Sequence, residues 1–163
     1  MRIAIRDATE RDLDELDQIF DVVDALHREH LPHIFQDHDG PAREHEYMLG
    51  VLADESYALF VAEAQGPSKA AILGFVQVAI QDTPPIPLLV PRRVARVENL
   101  GVRKDARRAG IGRALMNHAQ RWAEKSGATE IDLNVHEFNQ VAISFYRSLG
   151  YATSSRRMSK RLG

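Results

Sequence analysis

The residues with the clearest capacity for chemistry are the glycines and arginines of one short turn, Arg107-Arg108-Ala109-Gly110-Ile111-Gly112-Arg113. Upstream, Val94-Ala-Arg-Val-Glu-Asn-Leu-Gly-Val102 is apolar and β-branched, which predicts a strand. Downstream, Ile111, Leu115 and Trp122 fall on one face of a helical run that reaches Lys125. A strand that enters a helix through Gly-X-Gly leaves the first N–H groups of the helix without intrahelical partners. The helix dipole adds partial positive charge there, and small residues let a ligand approach the main chain. Arg107, Arg108 and Arg113 add full charges around the opening. The chemistry implied is the binding of a phosphate-bearing ligand.

Two common phosphate loops are excluded by the residues that follow. A nucleoside-triphosphate loop requires Lys-Ser/Thr after its last glycine, and no such pair is present. A dinucleotide fingerprint requires a third glycine three residues after Gly112, where the chain has Leu115.

The surrounding elements must position this turn. Arg2 to Arg6 alternates, with Ile3 and Ile5 on one face of a short first strand. Thr9-x-x-Asp12 predicts a helix N-cap with an acidic first turn. Leu13, Leu16, Ile19, Phe20, Val23 and Leu26 then recur at helical spacing, giving an amphipathic helix that ends before Pro32. Gly40-Pro41 is expected to open a second helix, with Tyr47, Leu49, Val51 and Leu52 on its apolar side. Tyr57–Glu63 and Ala70–Ile80 predict a hairpin joined by the turn Gln65–Lys69, with Gly74 at a bulge or a close-packing point. Four prolines between Asp82 and Pro91 exclude a central strand and predict a loop, either a connector or a lip over the site.

After the central helix, Gly127 suits its C-terminal turn, and Thr129–His136 alternates as a further strand with Ile131, Leu133 and Val135 on one face. Asn139 can cap a helix from Gln140 to Leu149 that carries Val141, Ile143, Phe145, Tyr146 and Leu149 and stops at Gly150. Tyr151 to Leu162 is expected to be a final extended edge strand guarded by basic side chains. The order β-α-α-β-β-β-α-β-α-β is a mixed α/β fold, a mostly antiparallel sheet with a parallel central β-α-β unit.

The order of elements and three motifs resemble the GNAT superfamily of N-acetyltransferases over essentially the whole chain. Arg107-Arg-Ala-Gly-Ile-Gly112 is similar to that family's acetyl-CoA loop, Gln/Arg-x-x-Gly-x-Gly/Ala. Leu100-Gly-Val102 stands where the family pairs a strand end with the pantetheine arm of the cofactor. Asn139-x-x-Ala142-x-x-Phe145-Tyr146-x-x-Leu149-Gly150-Tyr151 resembles its closing helix, with Tyr151 in place of the usual Phe.

The resemblance implies acetyl transfer from acetyl-CoA to a primary amine, by direct transfer in a ternary complex, without a metal. It implies cofactor contacts from Leu100, Gly101, Val102, Arg107, Arg108, Ala109, Gly110, Ile111, Gly112, Arg113 and Asn139. Gly101 would mark the bulge that splays the fourth strand from the fifth. Tyr146 would be the general acid, its phenol close in ordinary pKa to a thiol. For the general base the resemblance points to a carboxylate near Glu98, acting directly or through water. Spacing would set Glu98 on the same strand face as Leu100 and Val102. His136 is the other candidate, and Asn134 replaces a glutamate that some relatives use. The rival reading is a non-catalytic acyl-CoA sensor on the same fold. A homodimer would match many relatives.

Composition bounds the rest. A chain of 163 residues with 44% hydrophobic and 27% charged residues is long enough for one cored domain, spanning 1–163. A net charge of −2 argues against nucleic acid as the main partner. The absence of cysteine removes disulfides and thiolate catalysis. Neither a signal-peptide core nor a membrane-length apolar run is present, so a cytoplasmic protein without a membrane partner is expected. His27, His30, His33, His38 and His45 crowd one region without a known metal spacing, and are read as surface or cleft histidines. The acidic segment from Asp7 to Asp24 is either a solvated helix face or the mouth for a cationic amine.

Overall fold

The computed structural model describes residues 2–67 and 70–163. The elements are β1 (Arg2–Asp7), α1 (Leu13–His30), α2 (His45–Ala53), β2 (Tyr57–Gln65), β3 (Ala71–Asp82), β4 (Arg93–Val102), α3 (Ile111–Lys125), β5 (Glu130–Leu133) and α4 (Gln140–Ser148). The five strands form one sheet in the order β1-β2-β3-β4-β5, antiparallel except for the parallel β4–β5 pair. No helix among the described residues is long and apolar enough to cross a membrane.

Helices cover both faces of this sheet, which explains why Ile72 to Ala79 is buried without interruption. On one face, Val76, Val78, Ala95 and Val97 pack under Ile111, Leu115, Met116, Ala119 and Ala123 of α3. On the other, Leu59, Val61, Ile72 and Phe75 meet Leu13, Leu16, Ile19 and Phe20 of α1 and Met48 and Val51 of α2. The 3.6-residue spacing of α1 and α3 thus delivers two separate cores. At the start of α1, the buried Asp12 carboxylate accepts from the Thr9 N–H at 2.8 Å and from Arg6 Nη1 at 2.8 Å. Arg6 also reaches Glu63 at 2.7 Å, which ties β1, α1 and β2 together. Those bonds from Arg6 hold the Asp12 carboxyl below its ordinary pKa.

Several boundaries differ from the sequence expectation. The second helix begins at His45 with Glu44 as its N-cap, so Pro41 lies in the preceding loop rather than in the first turn. Strand β5 stops at Leu133, and Val135, expected on its apolar face, is 38% exposed. Residues 151–163 form no strand, so the sheet ends at five and the expected last strand is absent among the described residues. Of the expected turn Gln65–Lys69, Ser68 and Lys69 lie outside the described residues. The proline loop folds back on itself, with Thr83 N–H donating to Arg92 O at 2.9 Å and Arg92 N–H to Thr83 Oγ1 at 3.0 Å.

The bulge also moves. Gln77 pairs with Asn99 and Val78 with Val97, so β4 carries one extra residue, Glu98, opposite β3. Gly101 sits instead in an ordinary pair with Phe75. What demands glycine there is packing: a Cβ would lie 2.7 Å from the Phe75 ring and 3.0 Å from Ile19 Cγ2. A Cβ on Gly74 would likewise come within 2.8 Å of the Gly101 carbonyl oxygen. Because Phe75 is wholly buried, it cannot yield without moving the core. Gly101→Ala should therefore cost about 1–3 kcal/mol of folding stability, read as a lower urea midpoint at unchanged slope. A midpoint equal to that of the parent would show that the α1–sheet contact is looser than described.

Candidate active site

The turn between β4 and α3 is built as a cradle. A single 3-10 turn, Lys104–Ala106, leads to Arg107 in extended conformation, Arg108 at φ 63° and Gly110 at φ 77° as the N-cap of α3. Arg108 is the one non-glycine at positive φ among the described residues, a conformation that costs about 1 kcal/mol or more. The first intrahelical bond runs from Ala114 N–H to Gly110 O at 3.0 Å, so the N–H groups of Ile111, Gly112 and Arg113 face out of the helix end. A Cβ on Gly110 would meet nothing within 4 Å, which leaves the approach to these amides open. Gly112 has a different reason: a Cβ there would lie 3.3 Å from Phe145 Cζ, so this glycine lets α4 close onto α3.

Charge at the cradle is equally specific. Arg92, Arg93, Arg96 and Arg103 pair with Glu130, Asp82, Asp132 and Asp105 respectively. Arg107, Arg108 and Arg113 have no carboxylate partner among the described residues. Arg107 Nε donates to Val102 O at 3.4 Å, and Arg113 Nη2 to Ser148 Oγ at 3.1 Å. The unneutralised positive charge of the basic centre is therefore concentrated at the start of α3.

An unpaired strand edge leads away from this cradle. Strands β4 and β5 pair only from Val94↔Glu130 to Val97↔Leu133, while β4 continues to Val102. From Glu98 onward, the β5-side edge of β4 has no ladder partner among the described residues, and such an edge presents free main-chain groups to an extended ligand. Leu100 and Val102 lie on the α3 side of the sheet, in the same half-buried layer as Phe145, Tyr146, Leu149 and Tyr151. Asn139 starts α4, its Oδ1 accepting from Ala142 N–H at 3.1 Å, which assigns that oxygen to helix capping.

Burial pushes the Tyr146 phenol up to about 12, with Tyr151 at about 12 beside it. The match to a thiol expected from an unperturbed tyrosine is thus absent in the unliganded protein. A phenol at about 12 is a persistent hydrogen-bond donor at neutral pH before it is a proton source.

Glu98 does not share the face of Leu100 and Val102. Phe75 and Gln77 are alternate residues of β3 on the α1 side, and Gln77 Nε2 donates to Glu98 Oε2 at 3.0 Å. The bulge has turned Glu98 to the α1–α2 side. Although part of its surface meets solvent, the protein around the carboxyl raises its pKa, and Arg96 pulls weakly the other way. Its negative charge in turn raises the Tyr57 phenol.

Tertiary contacts assemble one group that spacing alone conceals. His27 and His30, from the last turns of α1, meet Phe35, His136 and Phe138. The His27 ring centroid lies 5.4 Å from that of His136 and 5.4 Å from that of Phe35, and His30 stacks on Phe138 at 4.4 Å. Desolvation and the neighbouring His27 lower the His136 pKa. Its alternation in the sequence suggested a strand end, and only the fold brings it to α1. His38 and His45 are elsewhere, bonded to Gly40 O and Glu10. No group of three or more His, Cys, Asp or Glu side chains suited to a metal occurs among the described residues.

Comparison with known proteins places this geometry in a family. Residues 19–151 match the profile of the Acetyltransferase (GNAT) family. An uncharacterized N-acetyltransferase of Methanocaldococcus jannaschii is 33% identical over 105 residues, which is 64% of this chain and 43% of that protein. The chain thus matches under half the length of that relative. An aminoglycoside N(6')-acetyltransferase type 1 of Klebsiella aerogenes is 29% identical over 118 residues, 69% of this chain and 74% of that protein. The solved structure of a Bacillus halodurans protein superposes with a TM-score of 0.89 at 24% identity, covering 98% of this chain and 99% of that one. That likeness is one of fold, whereas the profile match spans most of the sequence: the chain belongs to the Acetyltransferase (GNAT) family.

Proposed function

We propose that residues 1–163 act as one domain that moves the acetyl group of acetyl-CoA directly to a primary amine within a ternary complex. The observation that carries this reading is the unpaired edge of β4 from Glu98 to Val102, which runs into the open amide cradle of α3. An extended pantetheine arm fits such an edge as an added strand, and a pyrophosphate fits the cradle. Arg107, Arg108 and Arg113 would neutralise the pyrophosphate. Ala109, Gly110, Ile111 and Gly112 would present main chain to it, and Leu100, Gly101 and Val102 would hold the arm. Asn139 would act indirectly, by capping the helix that carries Tyr146.

In this scheme the amine lone pair attacks the thioester carbonyl, a C–N bond forms and the C–S bond breaks. Glu98 would take the amine proton, directly or through water, and the upward shift that its surroundings impose makes it a stronger base than an ordinary glutamate. Tyr146 would hydrogen-bond the departing sulfur, which stabilises the developing thiolate in a water-poor layer. The acidic side chains of α1, which packs on the sheet face away from α3, would favour a cationic acceptor. The Klebsiella aerogenes relative is named for an aminoglycoside, which is one such amine.

The test is thiol release from acetyl-CoA across a panel of kanamycin, spermidine, an alanine-initiated peptide and a lysine peptide. Turnover of any of these supports the enzyme. Acetyl-CoA binding without turnover of any acceptor would favour the non-catalytic sensor.

Two variants separate the parts. Tyr146→Phe should lower kcat by about 10- to 1000-fold and leave acetyl-CoA affinity within about twofold, as loss of one positioned donor predicts. With the free-enzyme phenol at about 12, wild-type kcat/KM should show no basic limb from this residue at neutral or mildly alkaline pH. Gly110→Val should weaken acetyl-CoA binding by more than about tenfold in calorimetry, because a β-branched residue disfavours φ 77° and would cover the amides. Unchanged affinity would place the pyrophosphate elsewhere.

A further inference from the structure

Gln77 is 1% exposed, and apart from Asp12 it is the only buried polar or charged residue among those described. It interrupts a strand whose neighbours, Val76 and Val78, are wholly buried and apolar. A carboxamide in such a place is tolerated when both of its ends are bonded. Both are. Nε2 donates to Glu98 Oε2 at 3.0 Å, and Oε1 accepts from Asn99 Nδ2 at 3.3 Å.

The chain of bonds continues outward. Asn99 Oδ1 accepts from Arg43 Nη2 at 3.4 Å, and Arg43 Nη1 donates to Asp24 Oδ2 at 2.7 Å. The Arg43 guanidinium also lies 4.0 Å above the Phe20 ring, which fixes it against the α1 core. Sense matters here. A carboxamide can present either its oxygen or its NH2 to a neighbour, whereas a guanidinium only donates. Arg43 therefore obliges Asn99 to turn its oxygen outward and its NH2 inward, and Asn99 imposes the same sense on Gln77. From Arg43 inward, each link then donates toward Glu98, while Asp24 accepts from the outer side of Arg43.

We infer that Gln77 is a positioning residue that aims the Glu98 carboxylate from the β4 bulge toward the acceptor side, with Arg43 and Asn99 setting the direction of its amide. The inference rests on the proposed role of Glu98 as base. It also joins the base to the segment before α2, since Arg43 and Asp24 stand on the α1–α2 side where an acceptor would enter. The charged and titratable groups around Glu98 are Arg96 of β4, bonded to Asp132 of β5, and Tyr57 of β2, with Arg43 and Asp24 at the far end of the chain.

The decisive measurement is the titration of Glu98 by carbon-13 NMR, with glutamate labelled at the side-chain carboxyl and the resonance assigned through Glu98→Gln. An N–H donor favours the ionised carboxylate, so Gln77→Met, similar in size and without a donor, should raise the Glu98 midpoint by about one pH unit. The acid limb of kcat/KM for the panel amine turned over fastest should move by the same amount, with the KM for acetyl-CoA unchanged. If Gln77→Met does not fold, Asn99→Ala takes its place; it releases the Gln77 amide and should raise the midpoint by a smaller amount. A Glu98 midpoint equal to wild type in the folded variant would overturn the role of Gln77, whatever its activity. Full activity of Glu98→Gln with an unchanged acid limb would instead overturn Glu98 as base, and the inference with it. A lower melting temperature with an unmoved midpoint would mark Gln77 as structural only.

Discussion

Glu98, the one residue that β4 carries in excess of β3, is held by the Gln77 carboxamide on the α1 side of the sheet, and this irregularity sets the phase of everything after it. Before the bulge, Ala95 and Val97 face α3. Without an extra residue, a period of two would next point Asn99 and Gly101 toward α3 and turn Leu100 and Val102 away. With it, Leu100 and Val102 return to the α3 layer, while Glu98 and Asn99 reach Gln77 on the other face. The same point is where β5 stops following β4, so the change of phase and the start of the unpaired edge coincide at Val97 and Leu133.

The two faces of the sheet thereby take on different chemistry. Toward α3 and α4 the layer is apolar, with Tyr146 and Tyr151 deep enough that their phenols stay protonated far above neutral pH. Toward α1 and α2 the layer carries a continuous polar chain from Asp24 through Arg43, Asn99 and Gln77 to Glu98. One face thus holds phenols that keep their protons, and the other a carboxylate whose pKa is raised by its surroundings. Glycine serves the geometry at both ends: Gly101 lets α1 close on Phe75, and Gly112 lets α4 close on α3.

Charge follows the same plan. Most arginines of the central stretch lie against carboxylates of adjoining strands and turns, and exposed pairs of this kind contribute little stability. Their effect is to leave the helix start of α3 as the place where positive charge is not cancelled. The backbone reinforces this, because Arg108 and Gly110 at positive φ orient the chain into the helix end. The aromatic group of His27, His30, Phe35, His136 and Phe138 joins the end of α1 to the segment after β5.

The sequence by itself determined the helices α1, α3 and α4 and the strands β1 to β4 to within a few residues, because their periods are strong and their caps are local. It also determined the turn before α3, since Gly110 at positive φ and the arginines act through main chain and charge locally, whereas Gly112 answers to Phe145 of α4. Only the tertiary structure decided the rest. Gly101 carries no local sign of whether it serves a bulge or a packed contact, and the answer lies in Phe75 and Ile19, distant in the chain. Counting by twos placed Glu98 with Leu100, and a single unpaired residue reversed it, because register belongs to a pair of strands and not to one. The length of β5 and the fate of residues 151–163 depended likewise on whether a neighbour was there to accept their hydrogen bonds. The polar chain behind Glu98 was invisible for the same reason: Asp24, Arg43, Gln77 and Asn99 are far apart in sequence, and only the packing of α1, the segment before α2, β3 and β4 brings them into hydrogen-bond reach.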